Sequence, residues 1–438
     1  MNNIDDMRRA GQKHESWHGS NGKLDGLTIL RYCHIFKCPD AGGVEQYLSN
    51  LNRMLLERNK MTIIQMHLVK DSKEDGIEIE SIGQGKLIWI PVLLREYKRK
   101  DVLSRSGMKL LLNNLTNTRF INNYIKAHRY RYSVLNSRIM DAIGKCVVDL
   151  VIFHWISYDS KEVIKKLAQT NTPFLVINHF DNQRFNLRSV RNQIVLAAGF
   201  GGVSSVNVPE FLNNRLVNLS DGIDTEFFRP ECAKQVQFAT ETPVVFLPAR
   251  IAPGKGHLDA IRALALLRAE GIKTKIVFAG RIDSLAVLKE LHSNIDEMKM
   301  KDDVSFIGRV NQSDLRDWYA RSAVVVLPSY SEGLPRVLLE AQAMKKPVIV
   351  YDVGGVSQAV RHDETGYALR RGDYSGIAKK VKELLTDEKK RNAMGIAGRR
   401  FVIDQFSLSS LAERHEEFYL NGLSGRRIKE FRGEAKVQ

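Results

Sequence analysis

Four charged residues and one histidine have types and spacings suited to handling a phosphorylated ligand. Arg250 and Lys255 stand in the loop Arg250-Ile251-Ala252-Pro253-Gly254-Lys255-Gly256, between a strand-like run at 243–249 and a helix-like run at 257–269. This R-x4-K-G loop lacks the G-x4-G-K-[ST] spacing of a Walker motif. It still has the physical logic of an anion site. A helix N-terminus offers unpaired N–H groups, glycines permit close approach, and two cations balance two phosphates. Glu332 and Glu340 are two carboxylates framing one segment, 324–365. His179 directly follows the apolar run 173–178, and a side chain at the end of a strand in an open α/β sheet points into the ligand crevice. His154, at the end of the preceding run, is the runner-up. Gly42-Gly43 lies between a strand-like and a helix-like run, where backbone N–H groups can approach a phosphate. Each feature has a plainer reading: surface charges, a solvated helix glutamate, an ordinary histidine, a tight turn.

The elements around these residues follow from periodicity. Residues 324–327 are a β-branched run, Pro335 suits the first position of a helix reaching about Met344, and Lys345-Lys346-Pro347 stops it. A second apolar run at 348–351 ends in Gly354-Gly355, completing a βαβ unit. Glu332 then sits in the turn at the carboxyl end of a strand, and Glu340 on the helix beginning beside the same crevice. Further strands are expected at 27–33, 61–69, 77–82, 87–91, 149–154, 173–178, 199–205, 216–220, 275–279 and 303–307. Helices are expected at 44–58, 313–322 with Ser313 as N-cap, 373–385, 387–403 and 408–420. Such alternation is the pattern of an α/β protein with parallel sheets.

A chain of 438 residues is long enough for two domains with separate cores. It has no run of eighteen apolar residues, so no spanning helix is expected. Residues 1–25 have no apolar core and read as a disordered tail. The cysteines Cys33, Cys38, Cys146 and Cys232 have neither zinc nor redox spacing, which suggests a reducing cytoplasm. No metal site is expected: there is no His/Cys/Asp cluster and no D-x-D. The net charge of +16 is concentrated in the first half, and the stretch from Arg95 to Lys145 holds twelve basic residues against three acidic ones. That stretch is either a solvated helical face or a cationic surface for anionic lipid or an anionic acceptor. Nucleic acid is not expected.

In the βαβ setting, E-G-L-P-x4-E resembles the E-x7-E signature of retaining glycosyltransferases of the family 4 type. R-x4-K-G upstream and the order of βα units are similar to that family over about residues 27–420. The resemblance implies a GT-B fold, two Rossmann-like domains facing across a cleft. The first would span 26–222 and take the acceptor, and the second 223–405 and take the nucleotide sugar. Residues 406–438 would hold a helix crossing back to the first domain, with a tail. It implies Arg250 and Lys255 on the diphosphate, Glu332 on sugar hydroxyls, Glu340 on the ribose, and His179 against the sugar near the reacting carbon. Gly43, Val310, Gly333, Leu334, Pro335 and Val337 would complete the donor site, Gly43 also placing the acceptor. Three positions depart from the family pattern: Asp221 stands where Asn is usual, Arg281-Ile282 replaces a G-x-G, and Gln358 stands where an acid is usual. The implied activity is metal-independent transfer, with retention, from a UDP- or GDP-sugar to a hydroxyl of a glycan or lipid-linked acceptor. It fits envelope polysaccharide or lipopolysaccharide-type synthesis in the cytoplasm, peripheral on the inner face of the membrane. No cofactor is implied beyond the substrate nucleotide sugar. A GT-B-fold nucleotide-sugar epimerase, a sugar-phosphate synthase and a non-catalytic binder of anionic surfaces remain as alternatives.

Overall fold

The computed structural model describes residues 22–35, 43–69, 78–96, 130–132, 148–154, 173–178, 194–199, 216–219, 221–234 and 242–424. His179, Gly42, most of the stretch from Arg95 to Lys145, the tail 1–21 and the terminus beyond 424 lie outside the described residues.

The first sheet contains β1 (Thr28–Ile35), β2 (Thr62–Val69), β3 (Glu78–Ile82), β4 (Gly85–Glu96), β5 (Tyr130–Tyr132), β6 (Leu150–His154), β7 (Phe174–Asn178), β8 (Ile194–Gly199) and β9 (Leu216–Asn218). Helix α1 is Gly43–Arg58. The strand order is β3-β4-β2-β1-β6-β7-β8-β9, with β5 on β4. Strands β3 and β5 run antiparallel to β4, and the other pairings are parallel. Buried Leu150, Val151 and Ile152 show why β6 reads as a continuous apolar run: it is covered on both faces. The chain leaves β1 toward β2 and returns to β6 on its other side, so the direction of winding reverses between β1 and β6.

The second sheet is built the same way. Its elements are β10 (Val244–Pro248), α2 (His257–Ala269), β11 (Lys275–Ala279), α3 (Leu285–Glu297), β12 (Val304–Phe306), α4 (Gln312–Arg321) and β13 (Val324–Leu327). There follow α5 (Arg336–Ala343), β14 (Val348–Tyr351), α6 (Val356–Ala359), β15 (Gly366–Leu369), α7 (Tyr374–Thr386), α8 (Glu388–Phe406) and α9 (Leu408–Leu423). All six strands are parallel, in the order β12-β11-β10-β13-β14-β15. Here the winding reverses between β10 and β13, and such a switch point opens a crevice at the carboxyl ends of the strands.

Helix α9 crosses back onto the first sheet. Its Leu408, Leu411, Ala412, Phe418 and Tyr419 join the core formed by β1, α1, β6 and β7. A buried polar network fixes its register. Tyr47 Oη and His415 Nε2 are 2.7 Å apart, Arg31 donates to Asn52 and to Tyr419 Oη, and Asn59 Nδ2 donates to Glu416 Oε1 at 2.9 Å. Where the chain enters α9, the Ile223 N–H donates to Phe406 O at 2.8 Å.

Several local expectations are corrected. Leu24 is fully buried and its N–H donates to Asn59 Oδ1, so ordered chain begins before residue 26. Asn311, not Ser313, caps α4, because its side chain accepts from the Asp314 N–H. Pro335 is the N-cap residue of α5 rather than its first helical residue. Strand β8 starts at Ile194, five residues before the expected 199. Helix α3, capped by Ser284, was not foreseen.

Candidate active site

The loop after β10 and the turn after β13 meet at the switch point of the second sheet. Lys255 Nζ lies 2.6 Å from Glu332 Oε1, and the side chains are only 20% and 14% exposed. Residues 77 positions apart are thus joined by the two strands that flank the reversal. The backbone explains how. Gly256 caps α2 at φ 71°, and a Cβ there would lie 1.9 Å from Pro328 O. Only glycine lets the two segments approach so closely. The Tyr330 N–H donates to Gly254 O at 2.8 Å, tying the loop to the residues after β13. From the other side Gly354, at φ 54°, packs against the turn: a Cβ there would lie 1.9 Å from Glu332 O. The glycine pair after β14 therefore supports the carboxylate's turn.

Arg250, at the start of the same loop, faces β11 instead. It donates to Asp283 Oδ2, while Arg281 Nε donates to Asp283 Oδ1 at 2.6 Å. The hydrogen bond from Arg281, with a smaller one from Arg250, holds the Asp283 carboxyl below its ordinary range. His257 follows the loop as the first residue of α2, buried edge-on to Phe278 at 5.1 Å. Burial pushes its imidazole down to about 4, so it is neutral near pH 7.

Glu340 is on α5, the helix that follows the turn carrying Glu332. It is 5% exposed and accepts from Tyr319 Oη at 3.0 Å. Burial raises its carboxyl above the ordinary range, and the Arg336 guanidinium opposes that shift. Arg336 itself reaches out of α5 to the Asp221 carboxylate and to Gly222 O. Asp221, one of the departures from the family pattern, thus anchors the segment after β9 to the helix that carries Glu340.

Of the other residues singled out, Val310, Leu334 and Val337 are half-buried against one core cluster around Phe246 and Val325. Pro335 is buried and Gly333 exposed. Gly43 is the first residue of α1, beside the reversal point of the first sheet. Nothing places His179. His154 ends β6 at that same reversal. Sequence reasoning missed Tyr319, Asp283 and Arg336. Of these only Asp283 gave a signal, as an acid close behind a predicted strand.

The fold is GT-B. A glycosyltransferase from Rickettsia africae superposes with a TM-score of 0.63 at 18% identity, over 91% of this chain and 99% of that one. Anabaena HepE in complex with UDP superposes with a TM-score of 0.61 at 14% identity, over 90% of this chain and 100% of that one. Residues 228–401 match the model of the family described as Glycosyl transferases group 1. Two curated relatives extend the comparison. The GDP-mannose-dependent alpha-(1-6)-phosphatidylinositol monomannoside mannosyltransferase of Mycobacterium tuberculosis is 31% identical over 59% of this chain and 64% of its own length. The capsular polysaccharide biosynthesis glycosyltransferase CapM of Staphylococcus aureus is 30% identical over 46% of this chain and 53% of its own. The matched stretches thus span less than two thirds of either relative.

Proposed function

We propose that the protein transfers a sugar, with retention and without a metal, from a UDP- or GDP-sugar to a hydroxyl of a glycan or lipid-linked acceptor. The observation carrying this reading is the 2.6 Å contact of Lys255 with Glu332 at the switch point, which joins R-x4-K-G to E-x7-E. Breaking the glycosidic bond puts negative charge on the leaving diphosphate. Lys255 and the N-terminal end of α2 are groups of the right sign held in place to receive it, and Arg250 is a second cation at the start of the same loop. Glu332 is then exchanged from Lys255 to the sugar hydroxyls. Glu340 takes the ribose, with the Tyr319 hydroxyl holding its carboxyl group. Gly43 helps place the acceptor, and His179, outside the described residues, is assigned to the sugar face. The acceptor hydroxyl loses its proton to the leaving phosphate on the same face of the sugar, which preserves the anomeric configuration.

Acceptor class is supported by the relatives, named for a phosphatidylinositol mannoside and for capsular polysaccharide. Among the described residues no helix is long and apolar enough to cross a membrane. A lipid-linked acceptor would then be met at the membrane surface, where the basic stretch from Arg95 to Lys145 suits anionic lipid. The test is incubation with a panel of UDP- and GDP-sugars and lipid-linked or glycan acceptors, with the product linkage read by NMR. An α-linked product from an α-linked donor supports the reading. An inverted product, a free epimer or metal-dependent turnover contradicts it.

A further inference from the structure

Two arginines at the mouth of the second sheet share the carboxylate of Asp283. Its oxygens divide between them, Oδ2 to Arg250 and Oδ1 to Arg281. The carboxylate is fixed by backbone. The Ile251 N–H donates to Arg281 O at 2.9 Å, and the N–H groups of Asp283 and Ser284 both donate to Ile251 O, at 3.0 and 3.1 Å. The short parallel bridge between Ile251 and Ile282 closes this stitch. Gly280 completes it, since a Cβ there would lie 2.1 Å from Ala249 O. The arginines, by contrast, are on long stems with side chains 56% and 63% exposed, against 22% for Asp283. When partners change, the guanidiniums move and the carboxylate stays.

A carboxylate and a phosphoryl group offer a guanidinium the same pair of acceptor oxygens. We propose that Asp283 sets the affinity of the site for a nucleoside diphosphate. Its carboxylate holds Arg250 in the free protein, yields it to the diphosphate when the donor binds, and takes it back when the spent nucleotide leaves. Arg281 is a positioning residue: it occupies the second oxygen of Asp283 and so weakens the hold on Arg250. This rests on the reading of R-x4-K-G as a diphosphate site. It extends that reading to two residues outside the loop, at a place where the sequence departs from the family pattern.

The exchange makes opposite demands on the two variants. The pair is exposed and screened by solvent, so releasing Arg250 from it tightens binding only about three- to fivefold. Titration calorimetry with UDP and with GDP on wild type, Asp283→Asn, Arg281→Ala, the double variant and Lys255→Ala tests this. Asp283→Asn should bind the nucleotide more tightly, and show a lower KM with a lower kcat if release limits turnover. Arg281→Ala should bind it more weakly, because the freed carboxylate then grips Arg250 alone. In the double variant the Arg281 effect should disappear, which a simple change of net charge, additive across the two sites, would not produce. If wild type binds, Lys255→Ala does not, and Asp283→Asn is unchanged or weaker, the role of Asp283 is refuted and the donor site stands. If no form binds either nucleotide, the donor reading fails and the inference falls with it.

Discussion

Replacing Lys255 by alanine should lower kcat/KM for the sugar donor a hundredfold or more. The ammonium group is four-fifths shielded and 2.6 Å from Glu332, at the reversal point of the sheet. Two unit charges about 4 Å apart interact by roughly 4 kcal/mol at an effective dielectric of about 20. Water reaching the open side of the cleft reduces that figure. Deleting one fixed electrostatic donor from an active site costs roughly 3–4 kcal/mol of transition-state stabilisation. At about 1.4 kcal/mol per factor of ten, the loss is on the order of two to three decades. The assay is the initial rate of acceptor-dependent nucleotide release, with a thermal melt run alongside. The melt matters because Glu332 loses its counter-ion, and a partly exposed pair contributes about 1 kcal/mol at most. A small shift in melting with a large loss of rate is the expected pattern. Turnover within a few-fold of wild type would refute the reasoning, because the charge would then not be aimed at the leaving group. Lys255→Arg should recover part of the rate, since it keeps the charge but not the reach.

Other substitutions test the supports of the site. Gly256→Ala should lower stability by more than 1 kcal/mol, on the order of a left-handed backbone strain plus a clash with Pro328 O, and should abolish any nucleotide-induced rise in melting temperature. Glu340→Gln should leave stability at pH 7 equal to or above wild type. The folded carboxyl is raised by burial, so its relative contribution is fully present below the ordinary carboxylate range and is lost as pH rises through the raised value. The same variant should lose nucleotide affinity, which separates the binding role from a packing role. His257, held down to about 4 by burial, works in the other direction. Its contribution is present above its ordinary value near 6.5 and is lost as pH falls from there toward 4. His257→Leu should therefore flatten the decline in melting temperature between pH 7 and 4.5; an unchanged slope would show that other groups govern acid unfolding.

The second sheet was legible in the sequence because its central strands are buried on both faces. Val324–Leu327 and Val348–Tyr351 must be apolar on both faces, and glycines and caps punctuate the helices between them. The pairing of Lys255 with Glu332 was not legible as a contact, because strand order is a long-range property. Only the reversal between β10 and β13 brings the two loops together. Glu340 reads in sequence as an ordinary helix glutamate. Its buried partner is Tyr319, from a helix 21 residues upstream. Asp221 and Asp283 stand at or beside departures from the family pattern, and their partners Arg336, Arg250 and Arg281 explain them only once the loops are in place. In the first half β1, β2, β6 and β7 matched their apolar runs, while β4 extends to Glu96. There its last residues pair with Tyr130–Tyr132 inside the basic stretch, where helix had been expected.

The most direct test of a nucleotide-sugar site at the reversal of the second sheet is a thermal-shift screen with UDP, GDP, ADP and their sugar conjugates. It should be run on wild type and on Arg250→Ala. A ligand at one hundred times its Kd stabilises the folded protein by about 2.7 kcal/mol, which is readily seen as a rise in melting temperature. One uridine or guanosine diphosphate series should stabilise the wild type and lose most of that effect in Arg250→Ala. Equal stabilisation of both proteins, or no stabilisation of the wild type by any nucleotide, would contradict it.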